Sequence, residues 1–372
     1  MSGQRLKKRI LIAIGTRPEA IKMAPVVLAL RQQSWAEVRV MATAQHRQMM
    51  DQVLELFGIV PDVDLDIMRP NQNLPELTAR LITALDGVLE SEAPDVVLVQ
   101  GDTTTVLAVA LAAFYRHVAV GHVEAGLRTG DLRNPFPEEM NRVLAGNLCR
   151  WHFAPTASAR DNLLREGFRQ DHVHVTGNTV IDALMQMAPA ATQIGVELDP
   201  SKRLILMTAH RRENFGAPFR EICRAVRDLV ESRDDIQILY PVHPNPNIKD
   251  VANELLGGHP RIVLCDPFDY VPFVAAMKKA EFILTDSGGV QEEAPALGKP
   301  VLVLRNETER PEAVSAGVVK LVGTRYDSII GESLRLLDDK AAYQTMAKGV
   351  SPYGDGRAAA RLVDILQRDL HV

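Results

Sequence analysis

The sequence predicts an α/β protein built from parallel sheets with helices on both faces. Short apolar runs alternate with stretches of helical periodicity from the start of the chain, the pattern of strand, crossover helix and parallel strand. Runs such as Phe282 to Leu284 are apolar throughout, as in strands covered on both sides. The alternation occurs in two series, and 372 residues is too long for one ordinary core, so two domains are expected.

In the first series Arg9 to Ile14 reads as a strand, Pro18 to Gln32 as a helix and Val38 to Ala42 as a strand. Pro94 to Val99, Val118 to Val120 and His152 to Ala154 continue the strands, with a helical stretch from Thr103 to Tyr115. The second series runs through Leu204 to Thr208, Ile236 to Tyr240, Ile262 to Leu264, Phe282 to Leu284 and Val301 to Leu304. Between them, from about Thr179 to Lys202, lie Pro189, Pro200 and no strand pattern, which places the domain boundary there. Arg357 to Asp369 is a helix pattern that fits against either domain.

Composition narrows the function classes. The chain is 46% hydrophobic and 24% charged, as in a globular enzyme. A formal net charge of −5 gives no general nucleic-acid footprint, so no nucleic-acid partner is expected. No apolar run approaches the length that spans a bilayer. Met1 to Arg9 is basic and an apolar run follows, but Gly15 and Arg17 break it too soon for a signal peptide. Cys149, Cys223 and Cys265 show no metal or redox spacing, and so odd and scattered a set points to reduced thiols in a cytoplasm.

In such folds ligands lie beyond the carboxyl ends of the strands, so the residues that follow each strand carry the information. The densest stretch is Phe282-Ile-Leu-Thr-Asp-Ser-Gly-Gly-Val-Gln-Glu-Glu-Ala-Pro295, a strand, a polar turn and a helix opening. Ser287, Gly288 and Gly289 let the backbone turn and approach a ligand, and the helix start offers free N–H groups to an anion such as phosphate. Glu292 and Glu293 are expected in the first helical turn, where they complement the dipole or accept from sugar hydroxyls. After the first strand come Arg17 and, one turn into the helix, Lys22; the pair suits a diphosphate, and also a plain surface turn. Asp102, after a later strand, suits a helix N-cap as well as chemistry. Glu124 lies among small residues where packing does not explain it, and Glu138 and Glu139 open a helix. Carboxylates gathered at one cleft have pKa values raised as proton transfer requires. His210, beside Arg211 and Arg212, suits a phosphate contact or an acid rather than a metal ligand. His243 occupies a similar place in a proline-stiffened loop, and Arg310 precedes Pro311 after the last strong strand, placed to close over a phosphate. Gln45, His46 and Gln72 form a separate polar set, too polar for a core.

Six stretches together resemble the bacterial non-hydrolysing UDP-N-acetylglucosamine 2-epimerases: Gly15-Thr-Arg-Pro-Glu-Ala-Ile-Lys22, Gly101-Asp-Thr-Thr-Thr105, Gly121-His-Val-Glu-Ala-Gly-Leu-Arg-Thr129, Gly177-Asn-Thr-Val-Ile-Asp182, His210-Arg-Arg-Glu-Asn214 and Asp286-Ser-Gly-Gly-Val-Gln-Glu-Glu-Ala-Pro295. The likeness runs in order over nearly the whole chain. It implies a glycosyltransferase B-type fold: a Rossmann-like domain over residues 1–180, joined by a returning C-terminal helix at about 355–372, and a UDP-binding Rossmann-like domain over 181–354, with a deep cleft between them. It implies reversible conversion of UDP-N-acetylglucosamine to UDP-N-acetylmannosamine with no metal and no cofactor, in a cytoplasmic homodimer. By the resemblance, Arg17, Lys22, His210, Ser287, Gly288, Gly289, Glu293 and Arg310 would hold UDP, and Phe273 would help form the uracil pocket. Asp102, Glu124, Glu138 and His210 would carry the chemistry, and Gln45, His46, Gln72 and His243 would line a second, activating substrate site.

The chemistry accounts for the residue types. The C2 hydrogen of the sugar is not acidic, because no carbonyl is conjugated to that carbon. Elimination of UDP across C1 and C2 avoids a free carbanion. It needs a cationic nest for the leaving diphosphate, a carboxylate to take the proton and an acid to return one on the other face. Asp102, Glu124 and Glu138 are the candidates, in an order the sequence leaves open. A retaining glycosyltransferase, a hydrolysing epimerase and a silent nucleotide-sugar sensor are the competing readings; need for an acceptor, accumulation of UDP, or binding without turnover distinguish them.

Overall fold

The structure is a computed structural model; it describes residues 7–43, 47–67, 69 and 73–372, with the backbone alone for 47–49. The chain divides into two compact units, Met1–Ala183 with Tyr353–Val372, and Leu184–Pro352.

The first unit is a sheet of seven strands: β1 (Lys8–Ile14), β2 (Ala36–Ala42), β3 (Val63–Asp64), β4 (Val96–Gln100), β5 (Ala119–Val123), β6 (Trp151–Ala154) and β7 (Val173–Val175). Its spatial order is β3-β2-β1-β4-β5-β6-β7, and every pairing is parallel. The second unit has six strands: β8 (Arg203–Thr208), β9 (Ile236–Pro241), β10 (Ile262–Cys265), β11 (Phe282–Thr285), β12 (Val301–Val303) and β13 (Val319–Leu321). Their order is β10-β9-β8-β11-β12-β13, again all parallel. Both are doubly wound, Rossmann-like sheets, and the direction of winding reverses between β1 and β4 and between β8 and β11.

The central strands form because their residues are apolar on both faces and bury them. Ile10 to Ile14 and Phe282 to Leu284 are all at most 2% exposed. In the first unit Leu11, Val97 and Val99 pack with Leu81, Leu85 and Val109 from the covering helices. In the second, Ile205, Ile238 and Phe282 pack with Phe219 and Val226. Three strands escape the sequence reading: β3, β7 and β13. All three are edge strands of two or three residues whose apolar run is interrupted, as in Val173-His-Val175 and Val319-Lys-Leu321. Strands this short, each interrupted by or ending in a polar residue, write no continuous signal, whereas the edge strand β10, Ile262-Val-Leu-Cys265, is unbroken.

The helix over Ala358–Asp369 packs on the first unit and is pinned at both ends. The Asp182 carboxylate accepts from the Ala358 and Ala359 N–H groups at 3.1 and 2.9 Å, capping it. Near its other end Asp369 Oδ2 accepts from the Trp151 indole at 2.9 Å. Among the described residues no helix is long and apolar enough to cross a membrane.

Candidate active site

In the first unit the ends of β1 and β4 lie side by side. The helix Arg17–Arg31 opens with a capping box between Thr16 and Glu19, so Arg17 is its first residue and Pro18 its second. Glu19 does more than cap. Its Oε2 accepts from the Gly15 and Thr16 N–H groups at 2.5 and 3.2 Å, and its Oε1 from Thr103 Oγ1, after β4, at 2.7 Å. Burial pushes its carboxyl up to about 7, against the opposing effect of those hydrogen bonds. Gly15 is required here for close approach: a Cβ would meet Thr105 Oγ1 at 2.6 Å and Thr43 Oγ1 at 2.8 Å.

Asp102 is not the N-cap its position suits; Thr103 fills that role. Instead Asp102 Oδ2 accepts from Arg142 Nη2 at 2.5 Å, and its main-chain carbonyl accepts from Asn141 Nδ2 at 2.9 Å. Glu124, at the end of β5, is buried and held at φ 62°, a left-handed conformation that costs a non-glycine residue about 1–3 kcal/mol. Its Oε2 takes hydrogen bonds from Lys22 Nζ at 2.5 Å and Gln100 Nε2 at 2.8 Å. Lys22 is thus engaged by a carboxylate of its own unit. Gly126 follows at φ 91°, where a Cβ would meet the Ala159 carbonyl oxygen at 2.2 Å. Glu138 opens the helix Glu138–Leu148 and is half-buried, with no side-chain ion pair among the described residues. Its neighbour Glu139 is buried, accepts from the Thr129 and Gly130 N–H groups at 2.9 and 3.0 Å, and faces Arg142 Nη1 at 3.2 Å.

In the second unit the ends of β8 and β11 are joined in the same manner. Asp286 is fully buried and accepts from the N–H groups of His210 and Arg211, each at 2.9 Å, and from Asn214 Nδ2 at 3.1 Å. Its other oxygen lies 3.3 Å from His210 Nδ1. Burial holds the half-buried His210 below the usual imidazole value, while the Asp286 charge pulls the other way. The exposed His243 stacks on it, ring centroids 5.8 Å apart.

The helix Gly288–Ala296 opens just beyond Asp286, and Ser287 makes no side-chain cap. The first N–H groups therefore lack a cap from Ser287, and two guanidinium groups converge there. A Cβ on Gly288 would lie 3.5 Å from Arg310 Nη2 and 3.7 Å from Arg211 Nη2. A helix opening flanked by two guanidinium groups has the chemistry that suits an anion. Glu292 and Glu293 are not in the first turn: the helix begins at Gly288, so they fall in the second, too far from the helix start to complement its dipole. Glu292 Oε1 accepts from Arg310 Nε at 2.6 Å, orienting that arginine. Glu293 Oε1 accepts from the Tyr270 hydroxyl at 2.6 Å. Phe273 is half-buried one turn beyond Tyr270 on the helix Tyr270–Lys279. Gln45, His46 and Gln72 lie outside the described residues.

The structure brings in residues that sequence reasoning did not single out: Glu19, Asn141, Arg142, Arg211, Tyr270 and Asp286. Signals existed for three of them: Thr16-Arg-Pro-Glu19 is a capping-box pattern. Asp286 directly follows β11, as the strand-end rule asks, and Arg142 stands four residues after Glu138 and so shares its helix face.

The fold defines a class first. Two Rossmann-like parallel-sheet units describe a glycosyltransferase B-type protein, and the solved glycotransferase of kitacinnamycin aligns with a TM-score of 0.66 over 98% of this chain and 99% of that one, at 12% identity. Residues 28–367 match the family described as UDP-N-acetylglucosamine 2-epimerase. The chain is 54% identical over 371 residues to UDP-N-acetylglucosamine 2-epimerase of an Escherichia coli strain, an alignment covering 97% of this chain and 99% of that protein. The crystal structure of UDP-GlcNAc 2-epimerase from Neisseria meningitidis bound to UDP-GlcNAc superposes with a TM-score of 0.90 at 48% identity, covering 97% of this chain and 100% of that one. The chain belongs to the UDP-N-acetylglucosamine 2-epimerase family, a family of isomerases.

Two outcomes follow from the buried carboxylates. Asp286→Ala orphans several buried donors at about 1–3 kcal/mol each, so urea denaturation should show a loss of at least about 3 kcal/mol; an unchanged midpoint would contradict the bridging role. Glu19, with a carboxyl raised from 4.5 to about 7, stabilises the fold fully below pH 4.5 and loses that contribution as pH rises through 7. Relative to Glu19→Gln, the parent chain should therefore lose about 3 kcal/mol between those limits. A stability difference that stays flat with pH would refute the assignment.

Proposed function

We propose that this chain interconverts UDP-N-acetylglucosamine and UDP-N-acetylmannosamine, supplying N-acetylmannosamine-type sugars for bacterial surface polysaccharide. Family membership supports the substrate, and one observation carries the chemistry. Asp102 and Glu124, at the ends of the adjacent strands β4 and β5, are each held by a cation, Arg142 and Lys22, both at 2.5 Å. Carboxylates mounted in this way at a strand end are built to meet a reacting centre rather than to fill a core.

In the proposed reaction a carboxylate takes the C2 proton. The C–H electron pair forms the C1–C2 double bond, and the C1–O bond breaks with its pair leaving on the diphosphate, giving 2-acetamidoglucal and UDP. A proton then returns to C2 on the opposite face, and a diphosphate oxygen adds back to C1. Atoms and charge balance with no outside reagent. Arg17, His210, the helix opening from Ser287 to Gly289 and Arg310 stabilise the departing diphosphate. Glu293, buttressed by Tyr270, accepts from ribose hydroxyls, and Phe273 packs against the uracil. Asp102, Glu124 and Glu138 share the proton transfers.

Nuclear magnetic resonance of UDP-N-acetylglucosamine incubated with the protein alone in deuterated water tests this. UDP-N-acetylmannosamine should appear, with deuterium at C2 in product and in recovered substrate. Asp102→Asn, Glu124→Gln and Glu138→Gln should each slow turnover about 100-fold or more, with UDP affinity largely kept. Steady accumulation of UDP would mean hydrolysis, a requirement for an acceptor would mean glycosyl transfer, and binding without conversion would mean a sensor.

A further inference from the structure

Arg142 has an arrangement that the proposed reaction does not by itself require. It lies in the second turn of the helix Glu138–Leu148, and its side chain is only 9% exposed, whereas that of Asp102 is 28% exposed. Two consecutive helix residues are aimed at Asp102: Asn141 takes its main-chain carbonyl and Arg142 takes one carboxylate oxygen. A third group, His122 on β5, lies with Nε2 2.6 Å from the carbonyl oxygen of Gly101. The backbone before Asp102, the backbone at Asp102 and its side-chain torsion are thus each fixed by a different hydrogen bond. Oδ2 is occupied, and Oδ1 accepts no hydrogen bond from the described residues.

Pairing with the buried Glu139 gives Arg142 a structural role, which accounts for only part of this arrangement. The other carboxylate near Arg142 is the buried Glu139, whose Oε1 is satisfied by the Thr129 and Gly130 N–H groups and whose Oε2 lies 3.2 Å from Arg142 Nη1, so one guanidinium bridges both carboxylates. Arg142 also leaves its own buried Nε without a partner. The guanidinium is turned so that Nη1 faces Glu139 and Nη2 is given to Asp102, at the expense of Nε. Glu138 stands one turn earlier on the same helix face. One helix therefore carries one candidate acid–base group directly and grips another.

We propose that Arg142 is a positioning residue that sets the orientation of Asp102, so that Oδ1 is presented to the C2 proton and the separation of Asp102 from Glu138 is set by a single helix. The inference rests on the reading of Asp102 as a proton-transfer group. It deepens that reading by naming what aims the carboxylate.

The test is a double-mutant cycle on the full-length protein, following turnover and C2 deuterium exchange with UDP-N-acetylglucosamine. Arg142→Met should lower kcat about 10- to 100-fold, the scale of a misplaced catalytic group, while KM and the affinity for UDP stay within about twofold, because Arg142 acts through Asp102. In an Asp102→Asn background the same change should add almost nothing, since the group it aims is gone. Millimolar guanidinium should partly restore Arg142→Ala, and urea should not. If Arg142→Met does not fold, Arg142→Lys, which keeps the charge but loses the planar fork, carries the same comparison with a smaller loss of kcat. Full kcat in Arg142→Met, or an equal loss with and without Asp102, would overturn the proposal while leaving Asp102 catalytic. Full turnover in Asp102→Asn would instead remove the reading on which it rests.

Discussion

Each unit ties the ends of its two central strands together with one buried carboxylate, and the arrangement of the candidate site follows from that. In the first unit Glu19 gathers the Gly15 and Thr16 amides after β1 and the Thr103 hydroxyl after β4. In the second Asp286, after β11, gathers the His210 and Arg211 amides after β8. Both bridges fall where the strand order reverses. At such a point successive crossovers leave the sheet on opposite faces, and the loops part to leave a crevice. A crevice between loops has little packing to define it. A carboxylate accepting several backbone N–H groups supplies rigidity there, because each donor would be costly to leave unpaired away from water.

The charged groups near the two bridges differ. In the first unit the nearby charges are carboxylates backed by cations: Asp102 by Arg142 and Glu124 by Lys22. In the second the cation Arg310 is backed by Glu292, and the imidazole of His210 by Asp286. In the proposed reaction the carboxylates of the first unit would serve proton transfer and Arg310 would serve anion binding. Backing groups of opposite charge allow a working group to be held at a strand end without the cost of an unpaired buried charge. Glu124 adds conformational strain, since its left-handed φ is kept by Lys22 and Gln100 rather than preferred by its own backbone.

Much of this was legible in the sequence. Continuous apolar runs marked the central strands, and the residues directly after them included Asp102, Glu124, His210 and the Ser287 to Gly289 turn. The edge strands β3, β7 and β13 were not legible, because they are two or three residues long and each contains a polar residue that breaks the apolar run. Capping assignments were ambiguous for a related reason. Asp102 and Thr103 both suit an N-cap; in the structure Thr103 caps the helix and Asp102 meets Arg142, forty residues on.

The sequence by itself determined the fold class, the polar turns at the strand ends and, through six motifs in order, the family resemblance. These are local patterns, set by periodicity, turn chemistry and residue type within a few positions. Tertiary structure decided which strand ends are neighbours and therefore which charges meet. The order β3-β2-β1-β4 places Gly15 beside Thr105, and the helix after β5 returns Arg142 to Asp102. Such pairings depend on sheet order and on where each crossover helix lands. An ion pair between residues forty or a hundred positions apart leaves no periodic trace in the chain, so Arg142 with Asp102 and Lys22 with Glu124 became visible only once the sheet was formed.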